Sequence, residues 1–248
     1  NIPTYCLPHG QNIYKNYDVN HYLRKLQHSG NNWPDFSSRN EFSCYVVQTN
    51  HHRAMHIAWG MNPDKVYALG SLRFDPKWIQ ENALLYEKYH SPHHTGTETT
   101  IVFFLPHWRY NVDESGTMEL IDSIARIPDT FIIVKGHTRG DAIDEHKFSH
   151  LRDYPNLVLS ADVDSVPLIN WAQITINFGS SIGIEAIVHG KFTINPLFLH
   201  SNETVFDDSE VSFNTHSIDD SVSLIKKIKN GEVLSRSSTG KEAFLRSE

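Results

Sequence analysis

Residues 172–195 read Ala-Gln-Ile-Thr-Ile-Asn-Phe-Gly-Ser-Ser-Ile-Gly-Ile-Glu-Ala-Ile-Val-His-Gly-Lys-Phe-Thr-Ile-Asn, and this stretch decides the fold. The β-branched run over 173–177 predicts a buried strand, and 182–189 a short apolar helix. Gly190 follows, then a second strand over 192–195. Between strand and helix stands Phe178-Gly179-Ser180-Ser181. The first N–H groups of a helix have no intrahelical partner and carry the positive end of its dipole. Gly179, Ser180 and Ser181 therefore form a candidate phosphate cradle. Glu185, about one turn inside the helix, is placed to reach ribose hydroxyls. The same residues also describe an ordinary turn with serine as helix cap.

Working outward, strands and helices alternate from Thr99 onward. Residues 100–105, 130–135 and 156–159 read as strands; 116–127 and 165–171 have helical spacing. Five short strands separated by helices predict an α/β fold with a parallel sheet covered on both faces, doubly wound. Ligands of such sheets bind outside the carboxyl ends of the strands. Those ends are Pro106-His107-Trp108-Arg109, Gly136-His137-Thr138-Arg139 and the Gly-Ser-Ser turn. The first 95 residues give strands over 5–7, 43–48 and 65–69, with helices over 51–59 and 74–89. That is part of a second α/β domain, and 91–99 is a polar linker. The division expected is 1–95 for an incomplete N-terminal domain, 96–230 for a Rossmann-like domain and 231–248 for a polar tail. The tail is preceded by an amphipathic helix carrying Val222, Leu224, Ile225 and Ile228.

Composition narrows the function. The 248 residues are 39% hydrophobic and 21% charged, ordinary for a globular protein with a sizeable core. A net charge of −7 argues against a general nucleic-acid-binding surface. No apolar run approaches the roughly 20 residues that span a bilayer. Two cysteines, Cys6 and Cys44, make no disulfide framework and favour a reducing cytoplasm. The sequence starts at Asn1 rather than Met and is expected to be trimmed. Of its sixteen histidines, His51, His52 and His56 sit at helical spacing and His90, His93 and His94 crowd the linker. Neither group has the cysteine or glutamate neighbours of a zinc motif, so solvated surface histidines are expected and no metal site is assigned.

Three segments, taken in order, resemble the GT-B glycosyltransferases, and within them the CDP-glycerol glycerophosphotransferase and capsule-polysaccharide transferase group. Leu7-Pro8-His9-Gly10 is similar to the His-Gly loop that ends a strand of the first domain in that group. Val134-Lys135-Gly136-His137 is similar to its second His loop. Residues 165–185 resemble its Ser…Asp…Ser-Ser…Glu segment, with Ser180-Ser181-Ile182-Gly183-Ile184-Glu185 fitting well. The run from Val46 to Ser71 looks like the passage joining the two GT-B domains. Departures are Gln173 for the group's Asp, Phe178-Gly179 for its Asp-Tyr, and no proline after His137.

The resemblance implies transfer of a sugar or polyol phosphate from a nucleotide-activated donor, a nucleotide-sugar or CDP-polyol, to a glycan or lipid-linked surface-polysaccharide acceptor. It implies His9 as general base, because an imidazole titrates near neutrality. It implies phosphate binding by Arg109, His137 and Arg139 and by Gly179, Ser180 and Ser181, with Glu185 on the ribose. No cofactor and no metal are implied, since N–H groups and cations can stabilise the leaving phosphate. The expected location is cytoplasmic, peripheral to the inner face of the membrane or to other glycan-assembly proteins. Two alternatives stay open: a GT-B-fold nucleotide-sugar 2-epimerase, and a non-catalytic nucleotide- or glycan-binding module.

Overall fold

The computed structural model describes residues 2–8, 35–87, 98–108, 111–137, 147–160, 163–202, 204, 206–207 and 210–233. Two parallel sheets organise them. The first has three strands in the order β1 (Tyr5–Cys6), β2 (Cys44–Val47), β3 (Val66–Ala68). Tyr5 stands opposite Cys44, and Val46 opposite Tyr67. Helix α1 (Asn50–Ala58) joins β2 to β3, and its first turn is capped by the Thr49 side chain, which accepts from His52 N. Phe36, Val47, Met61 and Val66 form the core of this unit.

The expectation of solvated histidines fails for two residues of α1. His52 and His56 are 4% and 3% exposed, because their i, i+4 spacing puts both on the face turned toward the sheet. His56 Nδ1 lies 2.7 Å from the His52 carbonyl and donates to it. That leaves Nε2 to accept from Arg39 Nη1 at 3.4 Å, while Arg39 Nη1 also donates to Tyr45 OH at 2.8 Å. The Arg39 guanidinium also stacks on Phe36, 3.4 Å from the ring centroid. Burial, followed by the neighbouring His51 and His56, holds His52 down at a pKa of about 4. His51 is exposed as expected; His90, His93 and His94 lie outside the described residues.

The second sheet has six parallel strands: β4 (Thr99–Phe104), β5 (Thr130–Lys135), β6 (Leu157–Ser160), β7 (Ile174–Ile176), β8 (Phe192–Pro196) and β9 (Phe213–Thr215). Their order is β6-β5-β4-β7-β8-β9. The chain therefore starts in the middle, winds outward through β5 and β6, and returns past β4 to β7. Between β4 and β7 lies the switch point where such sheets bind ligands. All five strands read from the sequence are present: β5 has the bounds expected, β4 and β6 are shifted by one residue, β7 is shorter at both ends and β8 is one residue longer. β9 is an addition: three residues with one apolar side chain carry no periodicity, and pairing with β8, Ile194 opposite Phe213, makes the strand.

The helices are α2 (Pro76–Glu87), α3 (Glu114–Ala125), α4 (Ser165–Trp171), α5 (Ser181–Val188) and α6 (Ile218–Lys229). Alternate residues of β4 serve opposite faces. Ile101 and Phe103 pack with Leu120, Ile121 and Ile124 of α3 and Ile225 and Ile228 of α6. Val102 and Phe104 pack with Leu168, Ile169 and Ala172 at α4 and Ala186 of α5. Each fully buried Ile, Leu or Phe contributes about 1.5–3 kcal/mol, which is why the continuous apolar runs read as a sheet covered on both sides. After β3 the chain turns at Gly70, forms a short 3-10 turn (Leu72–Phe74) and enters α2. α2 packs on α4, and the 3-10 turn packs on α5.

Candidate functional site

The loop from β7 to α5 forms as the sequence predicts, and its details explain the residue choice. Gly179 has φ +72, a conformation that L side chains rarely adopt, and a Cβ there would stand 2.7 Å from Thr204 Cβ. Thr204 is itself fixed: its N donates to Asp207 Oδ2 at 2.9 Å, its hydroxyl donates to Asp207 Oδ1, and Phe206 N donates to the hydroxyl at 3.2 Å. Ahead of the turn, buried Asn177 accepts from Gly179 N at 3.1 Å through Oδ1. Its Nδ2 is buried without a hydrogen-bond partner among the described residues. Gly183, in the first turn of α5, admits Asn177, since a Cβ there would meet Asn177 Oδ1 at 2.8 Å. Phe178 faces inward between Phe103 and His200, with ring centroids 5.9 and 6.1 Å away.

Ser180 occupies the N-cap position of α5, but its side chain makes no capping hydrogen bond. Ser180 is exposed and Ser181 half-buried. The bland reading, serine as an ordinary cap, therefore does not describe Ser180. Its hydroxyl and the first N–H groups of α5 stand at the carboxyl edge of the sheet, beside the switch point.

Neighbouring strand ends supply imidazoles. His107 follows β4 and His137 follows β5, with ring centroids 5.4 Å apart. His107 is buried, and the sequence reading did not single it out, although it lies in the strand-end run that was. Lys135, last residue of β5, is 3% exposed. A third histidine, His200, lies beyond β8. Its Nδ1 accepts from Asn202 N at 3.3 Å, so its Nε2 donates to Asn195 Oδ1, also at 3.3 Å. Burial lowers its pKa, with Asp207 and the Asn202 contact opposing. Trp108, Asn111, Asp113, Phe198, His200 and Ser201 surround an open hollow of about 520 Å³ at the ends of β4 and β8.

Glu185 is buried and its Oε1 is ion-paired with Arg73 Nε, while Oε2 is buried with no hydrogen-bond partner among the described residues. Lys191, six residues further along the chain, does not pair with Glu185: its Nζ donates to the Asn170 carbonyl at 2.8 Å. Arg73 belongs to the connection leaving the first sheet, 112 residues earlier, a separation that no local pattern reveals.

A cleft of about 500 Å³ opens between the two sheets. Leu7 and Pro8 after β1, Gln48 after β2, and Leu69, Gly70 and Ser71 after β3 line it, so every strand of the first sheet ends there. Ile184 of α5 closes the opposite side. The structure thus gathers Gly179, Ser180, Ser181 and Glu185 on α5 and its entry loop, with His107 one strand and His137 two strands along the same edge. His9, Arg109 and Arg139 lie outside the described residues. Among the described residues no group of three or more His, Cys, Asp or Glu could hold a metal ion. None of the described helices is long and apolar enough to cross a membrane.

A doubly wound sheet in the order β6-β5-β4-β7-β8-β9, facing a second parallel sheet across a cleft, is the GT-B architecture. Solved structures agree. A variant of the wall teichoic acid polymerase TagF soaked with CDPG superposes with a TM-score of 0.57 at 13% identity, covering 96% of this chain and 55% of TagF. TarM gives 0.53 at 13% identity, covering 98% of this chain and 47% of TarM. UDP-GlcNAc 2-epimerase from Neisseria meningitidis, bound to UDP-GlcNAc, gives 0.59 at 13% identity, covering 100% of this chain and 65% of the epimerase. The chain spans about half the length of TagF and TarM. No protein-family model matches the sequence, and no curated protein matches it. At these identities the likeness establishes the fold.

Proposed function

We propose that the chain carries the donor site and part of the acceptor side of a transferase that uses a nucleotide-activated donor. The observation that carries this reading is the entry to α5: a serine at the N-cap that does not cap, at the switch point of a doubly wound sheet. An N-terminus left open in this way suits a diphosphate, whose charge it meets with N–H donors and the helix dipole. In this reading Gly179, Ser180 and Ser181 cradle the phosphates, with Arg109, His137 and Arg139 adding positive charge from neighbouring strand ends. Glu185 Oε2, buried and without a partner among the described residues, accepts from ribose hydroxyls. His9 is the base that takes the proton of the acceptor hydroxyl, and Pro8 before it lines the cleft. Transfer then breaks the bond between donor group and nucleotide phosphate as the acceptor oxygen attacks. The leaving phosphate keeps the electron pair and is stabilised by the cradle. No metal takes part.

The donor is a nucleotide-sugar or CDP-polyol and the acceptor a glycan or lipid-linked glycan, handled at the cytoplasmic face of a membrane. The likeness to TagF, soaked with CDPG, supports the polyol and surface-polymer side of this reading. The fold neighbour bound to UDP-GlcNAc supports the epimerase alternative. Against the epimerase, Asp75 is the one carboxylate among the described residues lining the cleft, and its Oδ1 caps α2 by accepting from Lys77 N and Trp78 N at 3.0 Å. Incubation with CMP-, CDP- and UDP-linked donors in EDTA, following nucleotide release, tests the proposal. Slow donor hydrolysis is the expected result. Affinity without turnover for every donor refutes a transferase, a 2-epimer product identifies the epimerase, and a strict Mg²⁺ requirement refutes metal independence.

A further inference from the structure

Glu185 is 6% exposed, and a carboxylate so buried is tolerated when cations and hydrogen bonds meet its oxygens. Arg73 Nε meets Oε1; Oε2 is buried and has no hydrogen-bond partner among the described residues. A buried acceptor left this way carries its full desolvation penalty, so its persistence points to a partner that arrives from outside. The second cation within chain reach, Lys191, is occupied with the Asn170 carbonyl. Arg73 is presented by the 3-10 turn Leu72–Phe74, and that turn is seated rather than loose. Phe74 packs against the cluster of Ile184, Ile187, Phe206 and Val211. Ser71, Leu72 and Phe74 line the cleft together with Ile184, the residue before Glu185.

From this geometry we infer that Arg73 is a positioning residue for the donor site. It holds Oε1 of Glu185 and so aims Oε2 at the hydroxyls of a bound ribose, without touching the nucleotide itself. Seating of the inter-sheet connection on α5 and ribose binding are then coupled, and the coupling is reciprocal. The inference rests on the reading of Glu185 as the ribose ligand.

Calorimetric titration of UDP and CDP, each beside its 2′,3′-dideoxy counterpart, tests it on wild type, E185Q, R73Q, R73K and the R73Q/E185Q double variant. Wild type is expected to prefer the ribonucleotide by about tenfold, the size of one hydrogen bond to a charged group. E185Q and R73Q each abolish that preference while dideoxynucleotide affinity stays within about twofold. The double variant loses nothing further. R73K keeps the charge but not the guanidinium fork and retains about a third of the preference. Melting temperatures show that each variant is folded; should R73Q fail to fold, unchanged preference in R73K overturns the inference. A merely structural Arg73 weakens both nucleotides alike, which also overturns it. Loss of preference in E185Q with full preference in R73Q overturns the inference and leaves Glu185 on the ribose. Full preference in E185Q, or no binding of either nucleotide to wild type, removes the ribose reading and the inference together.

Discussion

Replacing Gly179 by alanine separates two costs that the structure makes measurable, because α5 is flanked by a natural control. Gly179 precedes the helix and Gly190 follows it, and both have φ +72. An alanine at either site adopts the left-handed region at about 1 kcal/mol. At Gly190 nothing stands within 4 Å of the new Cβ, so that is the whole cost. At Gly179 the Cβ meets Thr204, with Thr204 Cβ at 2.7 Å. Thr204 cannot easily yield, since Asp207 and Phe206 N hold it through three hydrogen bonds. Overpacking of this kind adds about 1–3 kcal/mol. Gly179→Ala should therefore cost about 2–4 kcal/mol against about 1 kcal/mol for Gly190→Ala. With a urea m-value of about 2–3 kcal/mol/M, the midpoints fall by about 1 M and about 0.4 M respectively. Thr204→Ser removes the nearest methyl and keeps the hydroxyl network, so it should restore part of the loss in the Gly179→Ala background. Equal midpoints for the two alanine variants, or no rescue by Thr204→Ser, would refute the steric account of this loop.

Ser180→Ala should leave the urea midpoint unchanged, because Ser180 makes no capping bond, while calorimetry shows nucleotide affinity falling by about 1–2 kcal/mol. A stability loss with unchanged affinity would assign Ser180 to the helix alone. Acid should weaken the first sheet. The unfolded chain binds a proton at His52 near pH 6.5, whereas the folded protein resists until about pH 4, so stability falls as pH drops through that window. The loss is at most about 3 kcal/mol, and His52→Gln should flatten it in unfolding curves recorded from pH 7 to 4. His9→Ala should lower kcat by about 10²–10⁴-fold with donor affinity kept, and should erase the neutral limb of the pH–rate profile. Normal turnover in that variant would move the base elsewhere.

Five of the six strands of the second sheet, and the helices before β7 and after the Gly-Ser-Ser turn, were legible because residues buried on both faces leave continuous apolar runs. Glycine punctuation marked the ends of α5. Local sequence also placed Gly179, Ser180, Ser181 and Glu185 together, since they lie within seven positions of one another. Tertiary structure decided the rest. β9 becomes a strand by pairing with β8, and Ser180 reads as a cap until its side chain is seen to make no capping hydrogen bond. His52 and His56 look like surface residues until the sheet covers their helix face, because periodicity reports which residues share a face and not what lies against it. The partner of Glu185 was beyond any sequence window. Lys191 is six residues away and Arg73 is 112, yet the crossing of the connection over α5 puts the distant guanidinium on the carboxylate. Spacing along the chain fixes neighbours within one helix or turn, while contacts between elements are set by how the two sheets pack.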